Sequence, residues 1–535
     1  MSAPLTKPSR ILFGSCNSQL LDQPLWDAMI ARNASSFVFG GDAVYGNQRV
    51  TYDKRAFFLA PVRESGPVTP EELRAAFDAQ LQREEYQRFL QTGINVFGTW
   101  DDHDYGSNNA DGTFPYKVQN AKEYVRFLDS PKDTFYYQRA QTGKGIYGVQ
   151  VWDFARPEGD QLLSDLEAGL EPDLPFDTND TTLSEQSVAV FVLDVRSFKT
   201  PWKKSTKGRF QPDFDGDFLG EEQWNWFEEA ISRSRARVNV IVQGLNVHSY
   251  QMTANNREDW TKYPTAQHRL YQAVLQPNVR NPIFVSGDVH YAQFMRKDCR
   301  KATGGSGEQQ VRPLLDVVTS GMSHSVGTGG CPVPHQYATC QVPHQSWAVR
   351  NAWKFWLQTA PSTGMVLADD GEISTNGGRQ FSLALNFAEL EFDWVNDMLH
   401  ISWMGKDEKV LMDAKWSFDE LSGANLRHAD LTTPSDYQRT VDKLQAGGIF
   451  VGENDWICVD HRGLADDRHQ AFSTLVLATS SKFWMLAPIW PAFVLFLLLL
   501  RTCRSASFRK GNAGNNTASG SEEDSSDDSS SATEK

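Results

Sequence analysis

Four short apolar runs in this chain end in a tight turn that is followed at once by side chains able to bind a metal ion. The runs lie in the segments ILFGSC, SSFVFGGDAVY, INVFGTWDDHD and NPIFVSGDVH. Apolar runs of this length, bounded by turn residues, predict buried β-strands. Ligands of α/β sheets bind beyond the carboxyl ends of the strands, where a glycine lets the backbone turn tightly. The pattern therefore predicts an α/β fold in which four strand ends converge on one site.

The third run leads into the acidic segment TWDDHDYGSNN, which covers Thr99–Asn109 and surrounds His103 with Asp101, Asp102 and Asp104. Like charges this close repel one another, and burial increases the cost, so the segment requires either bulk water or a cation. A solvated surface turn is the alternative interpretation of this segment taken alone. Because the other three strand ends carry metal-binding side chains too, the cation is favoured.

The donor types suit a pair of metal ions. Carboxylates are hard oxygen ligands, and imidazole or thiolate groups bind transition metals such as iron and zinc. One carboxylate that bridges two ions roughly 3.5 to 4 Å apart would form a clamp suited to phosphoryl displacement. Each motif alone is weak evidence, whereas the four together indicate a two-metal site.

Five motifs, FGSC, GDAVY, WDDHDYGSNN, LDVRSF and GDVH, occur in this order and resemble a known family. It is the PhoD-like (alkaline phosphatase D type) branch of the calcineurin-like metallophosphatases. The resemblance runs from about Ile11 to about Ser325 and implies a four-layer αββα sandwich of two mixed sheets, with metals at the strand ends. It also implies hydrolysis of phosphoesters by attack of a metal-bound hydroxide. The Asp-x-His opening of the wider superfamily is absent here, so the assignment depends on the Cys16 variant.

The resemblance implies an iron-type ion bound by the Cys16 thiolate, the Tyr45 phenolate and His290. Asp42 would be the carboxylate that bridges this ion to the second one. Fe³⁺ and Ca²⁺ are the expected pair, with Mn²⁺ or Zn²⁺ as alternatives.

The second ion would be held by Asp102, Asn108 and Asp288. Asn109 follows directly, and turn lengths vary among relatives, so Asn109 is the alternative amide ligand.

Two further residues receive roles through the resemblance. His103 would protonate the leaving group, and Arg196 is a candidate phosphate contact, although an arginine just past a strand is as often a member of a structural ion pair. His248 and His324 also follow apolar runs, and the sequence leaves their contact with the site open.

The predicted catalytic domain spans residues 1–470, with the motif-bearing core at 11–325 and a β-rich completing part at 326–470. Alternating apolar and polar residues between Phe381 and Phe418 predict a meander that completes the second sheet. Tryptophan and phenylalanine at helical spacing predict an amphipathic helix over Gly220–Ala236 that buries its aromatic side chains.

An uncharged apolar segment at 483–500, FWMLAPIWPAFVLFLLLL, predicts a transmembrane helix. A buried core helix is the alternative. The basic residues that follow it predict a cytoplasmic C-terminus, with a disordered, acidic, serine-rich tail over 501–535. No apolar stretch of signal-peptide length precedes the first strand. A lumenal or extracellular body is expected, and a tail-anchored protein with a cytosolic body is the alternative.

Four of the six cysteines, Cys299, Cys331, Cys340 and Cys458, lie in the body away from the motifs and allow three disulfide pairings. The net charge of −15 argues against a nucleic-acid partner, because phosphate recognition needs concentrated Lys and Arg.

The sequence therefore predicts a membrane-anchored, metal-dependent phosphatase or phosphodiesterase whose partners are a phosphoester substrate and the membrane. A catalytically weak ectodomain that binds phosphate or lipid head groups, a nucleotide hydrolase and a membrane scaffold are the alternatives. The oligomeric state stays open.

Overall fold

The central strands form where the sequence places runs of β-branched and aromatic residues. Strand Ser187–Val192, SVAVFV, is buried at all six positions, as expected for a strand covered on both faces. The computed structural model describes residues 9–52, 61–158, 160–163, 183–206, 208–248, 258–302, 311–325, 327, 374–375, 381–426 and 432–460.

Strands and helices alternate through the first part of the described chain. The strands are β1 Arg10–Gly14, β2 Ser36–Gly40, β3 Gln48–Tyr52, β4 Pro61–Ser65, β5 Asn95–Thr99, β6 Gly148–Asp153, β7 Leu162–Leu163, β8 Ser187–Val192, β9 Val238–Gln243, β10 Pro282–Ser286, β11 Ala292–Lys301, β12 Arg312–Val318, β13 Ser374–Thr375, β14 Phe381–Ser382, β15 Phe387–Asp393, β16 Met398–Met404, β17 Val410–Ser417 and β18 Trp456–Asp460. The helices are α1 Trp26–Ala31, α2 Pro70–Leu81, α3 Glu84–Leu90, α4 Asp102–Tyr105, α5 Lys117–Phe127, α6 Phe135–Thr142, α7 Gly220–Arg233, α8 Pro264–Val274, α9 Phe418–Leu421 and α10 Pro434–Ala446.

The first sheet has seven strands in the order β13-β17-β16-β15-β1-β2-β5. Strands β1, β2 and β5 are parallel, and β15 pairs antiparallel with β1. The predicted meander forms as β15, β16 and β17, but it completes this sheet and not the second one. That part of the prediction is wrong, because β2 occupies only one edge of β1 and β15 pairs with the other edge.

The second sheet has nine strands in the order β14-β11-β12-β10-β9-β8-β6-β7, with β18 paired to β11. Strands β8, β9, β10 and β12 are parallel, whereas β6 and β11 run antiparallel to their neighbours. Both sheets are therefore mixed, as predicted. A separate two-stranded sheet joins β3 to β4.

The two sheets pack face to face around aromatic side chains. Trp403 of the first sheet lies 5.5 Å from Phe294 of the second, ring centroid to ring centroid, and donates its indole N–H to the carbonyl of Val318. Helix α1 covers the outer face of the first sheet through Trp26, and α7 covers the second through Phe227. The result is four layers, with helices outside and sheets inside.

Helix α7 confirms the predicted amphipathic helix, although it ends at Arg233, three residues before the expected position. Its aromatic residues Trp224, Trp226 and Phe227 are buried, so they belong to the core.

A disulfide joins Cys299 of β11 to Cys458 of β18, where the two residues lie opposite each other in the antiparallel pair. This bond selects one of the three predicted pairings. Cys331 and Cys340 lie outside the described residues.

The predicted membrane helix at 483–500 and the tail at 501–535 also lie outside the described residues. Among the helices that the structure does describe, none combines the length and the apolar composition needed to cross a bilayer.

Candidate metal centre

The centre forms where parallel strands of both sheets end. Cys16 follows β1, Asp42 follows β2, Asp102 follows β5, and Asp288 and His290 follow β10. Four of these residues have left-handed backbones, with φ of 59° at Cys16, 52° at Asp42, 67° at Asp288 and 59° at His290. Non-glycine residues in this region are uncommon, and they concentrate at functional sites because the surrounding structure must hold them there.

Glycines allow the strand ends of the two sheets to meet. A Cβ atom on Gly287, after β10, would lie only 2.5 Å from the carbonyl oxygen of Gly40 in β2 and 2.7 Å from the hydroxyl of Ser15. Gly41 has φ of +99°, and a Cβ there would lie 2.6 Å from the Cβ of Asp101. Any larger residue at these positions would separate the strand ends that carry the candidate ligands.

Cys16, Asp42 and His290 form one group of possible metal ligands, with one donor atom from each lying within 4.8 Å of the others. The Cys16 sulfur lies 3.7 Å from Asp42 Oδ2. The Tyr45 hydroxyl lies 3.0 Å from His290 Nε2, so the phenol borders the same group. The sequence predicted these four residues as the shell of one ion, and the structure brings them together.

Ser320 organises this group from the second sheet. Its hydroxyl accepts the backbone N–H of His290 at 2.7 Å and lies 3.0 Å from the Cys16 sulfur. Because the oxygen already accepts from His290, its hydrogen is available to the sulfur. This donor would stabilise a thiolate.

Asp42, Asp102 and His103 form a second group that shares Asp42 with the first, again with donor atoms within 4.8 Å of one another. His103 Nε2 lies 3.7 Å from Asp102 Oδ1, and its Nδ1 lies 2.7 Å from Asn47 Oδ1. Asp102 Oδ1 is buried and has no hydrogen-bond partner among the described residues. A buried carboxylate oxygen without a donor fits a site that a cation completes.

The pKa values of this cluster are strongly raised. Burial, followed by Asp42, raises the pKa of the Cys16 thiol and of the Tyr45 phenol well above their ordinary values. Burial also raises the pKa of Asp42 well above the ordinary range and that of Asp102 to about 6. Bound cations would act in the opposite direction on each group, so the charge distribution favours metal binding.

Asp101 and Asp104 explain the rest of the crowded acidic run. They form a capping box at the start of α4, and Asp104 accepts the backbone N–H groups of Asp101 at 2.7 Å and Ala43 at 2.8 Å. Asp101 also accepts a hydrogen bond from Arg196 Nε at 2.6 Å. Two of the three aspartates thus have structural partners, and Asp102 faces the centre.

Arg196 is fully buried and its donors are engaged. Its remaining nitrogens bind both carboxylate oxygens of Glu258 at 2.9 and 3.2 Å, and one also reaches the carbonyl of Ala110 at 3.2 Å. Of the two roles weighed from the sequence, the described contacts are those of a structural ion pair.

The other predicted ligands of the second ion, Asn108 or its neighbour Asn109 and Asp288, differ in how they relate to the centre. Asn108 is exposed on its turn, whereas Asn109 donates its backbone N–H to Asp102 at 2.6 Å. Asp288 borders the centre, since its charge raises the pKa of both Cys16 and Asp42.

The structure places His248 and His324, whose contact with the site the sequence left open, in different environments. His248 is buried in the core, where its ring nitrogens lie 3.1 Å from the Tyr271 hydroxyl and 3.0 Å from the Leu314 carbonyl. His324 lies at the centre, with ring centroids 4.8 Å from Tyr45 and 4.4 Å from His290.

Asn47 and Ser320 were not predicted from the sequence. Asn47 follows Tyr45 by two residues, and Ser320 follows β12 by two residues, so each lies just past a motif or an apolar run. Neither position differs in its local sequence from an ordinary turn residue.

Carboxylate, imidazole, thiol and phenol groups thus lie together at the strand ends of a mixed two-sheet sandwich, where they could hold metal ions. Residues 186–336 match the family model described as PhoD-like phosphatase. The match confirms the resemblance to this family. It also confirms the prediction that the protein is an enzyme that hydrolyses phosphoric ester bonds. It covers Asp288, His290 and His324, whereas the ligands from Cys16 to Asp102 lie before it.

Among solved structures, one described as "Structure of PhoD" is similar to this chain, with a TM-score of 0.48 and 13% sequence identity. The alignment covers 89% of this chain and 78% of that chain. No curated protein matches the sequence.

Proposed function

We propose that this protein is a membrane-anchored phosphoesterase with a binuclear metal centre, acting on phosphomonoesters, phosphodiesters or both. The observation that carries the proposal is the position of Asp42, whose carboxylate belongs to both ligand groups. A carboxylate between two groups of donors is suited to bridging two ions.

Each group matches a different ion. Thiolate, phenolate and imidazole from Cys16, Tyr45 and His290 suit a transition metal, for which we propose Fe³⁺. Carboxylates from Asp102 and Asp288, with an amide from the turn that carries Asn108, suit Ca²⁺. Bound cations would supply Lewis acidity toward the phosphoryl oxygens and a water molecule of lowered pKa.

His103 is proposed as the general acid that protonates the leaving oxygen. Its ring stacks on Tyr45 at 4.1 Å between centroids, and Asn47 holds Nδ1 at 2.7 Å. Asn47 therefore orients the ring with Nε2 on the side of Asp102. Because His103 also belongs to the second ligand group, coordination is the competing role.

A lumenal or extracellular body is supported by the Cys299–Cys458 disulfide, because stable disulfides form in oxidising compartments. The segment at 483–500 would anchor this body to the bilayer. Its substrates would then include phosphoesters presented at a membrane surface.

The test is metal analysis and hydrolysis by the full-length protein and by Asp42→Asn. We expect wild-type protein to bind two ions and to hydrolyse members of a panel of phosphomonoesters and phosphodiesters. Asp42→Asn should lower both the metal content and the rate by orders of magnitude. Asp316→Asn is the matched control, since Asp316 is equally buried but accepts hydrogen bonds from Ser286 and His248 away from the centre.

Unchanged metal stoichiometry in Asp42→Asn would refute the bridging role. Phosphate binding by wild-type protein without hydrolysis of any ester would favour the binding ectodomain. Iron is tested separately: ferric thiolate and phenolate ligation should give visible charge-transfer absorption that Tyr45→Phe shifts. A colourless, active enzyme would exclude iron but not the site.

A further inference from the structure

The turn between helix α1 and strand β2 carries the sequence Asn33-Ala34-Ser35. Asn-X-Ser, where X is not proline, is the acceptor pattern for N-linked glycans, which are attached to surface loops of secreted chains. The pattern is short and occurs often by chance. It occurs again at Asn179 and Asn515, both outside the described residues. Only the surroundings of Asn33 in the fold can separate an acceptor from a chance match.

Asn33 is accessible, and its side chain is not engaged. The residue is exposed, and its backbone is left-handed with φ of 48°. Its side-chain amide has no hydrogen-bond partner in the described part of the chain. Asn281 has a similar backbone, with φ of 44°, but it is buried and donates its amide N–H to the carbonyl of Arg237 at 3.0 Å. The amide of Asn281 thus has a structural role, whereas that of Asn33 is available for modification.

Ser35, the third residue of the pattern, has a buried hydroxyl without a partner. Its Oγ atom makes no hydrogen bond with the described residues. The hydroxyl of the next residue, Ser36, is also buried, but it donates to the carbonyl of Asn95 at 3.2 Å and accepts from the Asn95 amide at 3.1 Å. A buried hydroxyl without a partner destabilises the folded state. Alanine would suit this position better, unless the hydroxyl is used before the chain folds.

We propose that Asn33 carries an N-linked oligosaccharide. In the transfer, the side-chain amide nitrogen of Asn33 forms a bond to the anomeric carbon of a lipid-diphosphate-linked oligosaccharide. The bond from that carbon to the diphosphate oxygen breaks, the lipid diphosphate leaves, and the amide loses one proton. The hydroxyl of Ser35 completes the pattern that the transferase recognises. The inference rests on the lumenal or extracellular body of the proposed function, which the Cys299–Cys458 disulfide supports.

The glycan would lie away from the metal centre. Asn33 precedes β2 and Asp42 follows it, and a strand of five residues is roughly 16 Å long. The turn is anchored independently of the glycan, because Arg32 binds both carboxylate oxygens of Glu389 at 2.7 and 2.8 Å. The carbonyl of Arg32 also accepts a hydrogen bond from Arg10 at 3.2 Å. Loss of the glycan should therefore leave the fold and the activity unchanged.

The experiment uses the full-length chain expressed in eukaryotic cells. Glycosidase-sensitive gel mobility reports the glycan, and mass spectrometry of the treated peptides reports the modified residue. The variants are Asn33→Asp, because aspartate also tolerates the left-handed backbone, and Ser35→Ala, which keeps the asparagine. Ser36→Ala is the matched control, since it removes a buried hydroxyl just outside the pattern. Protease protection of membrane vesicles and alkylation of Cys299 and Cys458 report independently whether the body is lumenal.

Wild-type protein should carry a glycan on Asn33, and both Asn33→Asp and Ser35→Ala should remove it. Ser36→Ala should keep the glycan and melt at a lower temperature, because Asn95 loses its partner. After enzymatic removal of the glycan, Ser35→Ala should melt at the same temperature as wild type or higher. The kcat and KM of Asn33→Asp should equal those of wild type. Asn515 should stay unmodified, because it lies in the predicted cytoplasmic tail.

A protected, disulfide-bonded body with unmodified Asn33 would overturn the inference and leave the proposed function intact. A body that cytosolic protease cleaves, with free thiols at Cys299 and Cys458, would overturn the proposed topology and the inference together, and so would a glycan on Asn515. A glycan that persists in Ser35→Ala would overturn the role given to the Ser35 hydroxyl. If glycosylated protein hydrolyses no phosphoester, the proposed function fails and the modification of Asn33 stands.

Discussion

Replacement of Arg196 by methionine separates the two roles that the sequence allowed for this residue. In the structure its guanidinium is 0% exposed and binds Asp101 at 2.6 Å and Glu258 at 2.9 Å. Methionine would fill the volume and leave two buried carboxylates without their cation. If Arg196 is structural, the principal loss in Arg196→Met is therefore stability.

The magnitude follows from the burial of the pair. Removing one partner of a buried ion pair typically costs about 3 to 5 kcal/mol, and here two carboxylates lose the same partner, so we expect the upper end. The loss should depend on pH. Burial raises the pKa of Asp101 to about 7 in the presence of Arg196, which lowers it. Without the arginine this pKa rises further, so the destabilisation should be smaller at pH 6, where Asp101 takes up a proton, than at pH 8.

The free energy of unfolding is measured by urea denaturation at pH 6 and pH 8. Arg196→Met/Glu258→Gln should recover part of the loss, because the double variant removes one of the two uncompensated charges. Arg88→Met is the control. Arg88 pairs with Asp27 on the surface, where such pairs contribute about 0 to 1 kcal/mol. If Arg196→Met were as stable as wild type at both pH values and only its KM rose, the structural assignment would be refuted and the phosphate contact restored.

Three further predictions concern catalysis, pH and the disulfide. The hydrolysis rate of His103→Ala should fall about 10²-fold to 10⁴-fold on esters with alkoxide leaving groups and much less on activated aryl esters, with metal content retained. Equal losses on both kinds of ester would assign His103 to positioning of the phosphate. Metal-stripped protein should lose stability as pH rises from about 4 to 7, because burial raises the folded-state pKa of Asp101 to about 7 and of Asp102 to about 6, so each group favours the folded state only while protonated. Reloading metal should remove the part of this slope that Asp102 contributes, and a flat profile without metal would contradict the prediction. Cys299→Ser/Cys458→Ser should lower the free energy of unfolding by about 2 to 5 kcal/mol, and denaturation at the wild-type urea concentration would show that the bond is dispensable.

Local sequence determined the elements on which the site is built. A short apolar run such as PIFVS in β10 favours a buried strand over a helix because of its length and flanking glycine, and the structure buries it at every position. The glycine and aspartate after it mark where the strand ends. Cys16, Asp42, Tyr45, His103 and His290 converge in the structure as this pattern predicts. The chemistry of the donors and their positions at strand ends are both properties of short segments, which is why they can be read without a structure.

Contacts between residues far apart in the sequence decided the features that local sequence left open. Arg196 and His248 also follow buried strands, yet one is bound by Glu258 and the other bonds to Leu314, partners that lie 62 and 66 residues away. The meander joins the first sheet because β1 has a free edge, and Cys299 pairs with Cys458 because β18 lies opposite β11.

The sequence by itself therefore determined where ligands can arise along the chain. Only the tertiary structure decided which of them share one centre, because burial and the satisfaction of each charge depend on neighbours brought together by the two sheets. Lys199 illustrates the point: its local sequence is that of any surface lysine, and only tertiary packing, with the Trp202 ring against its ammonium, buries it.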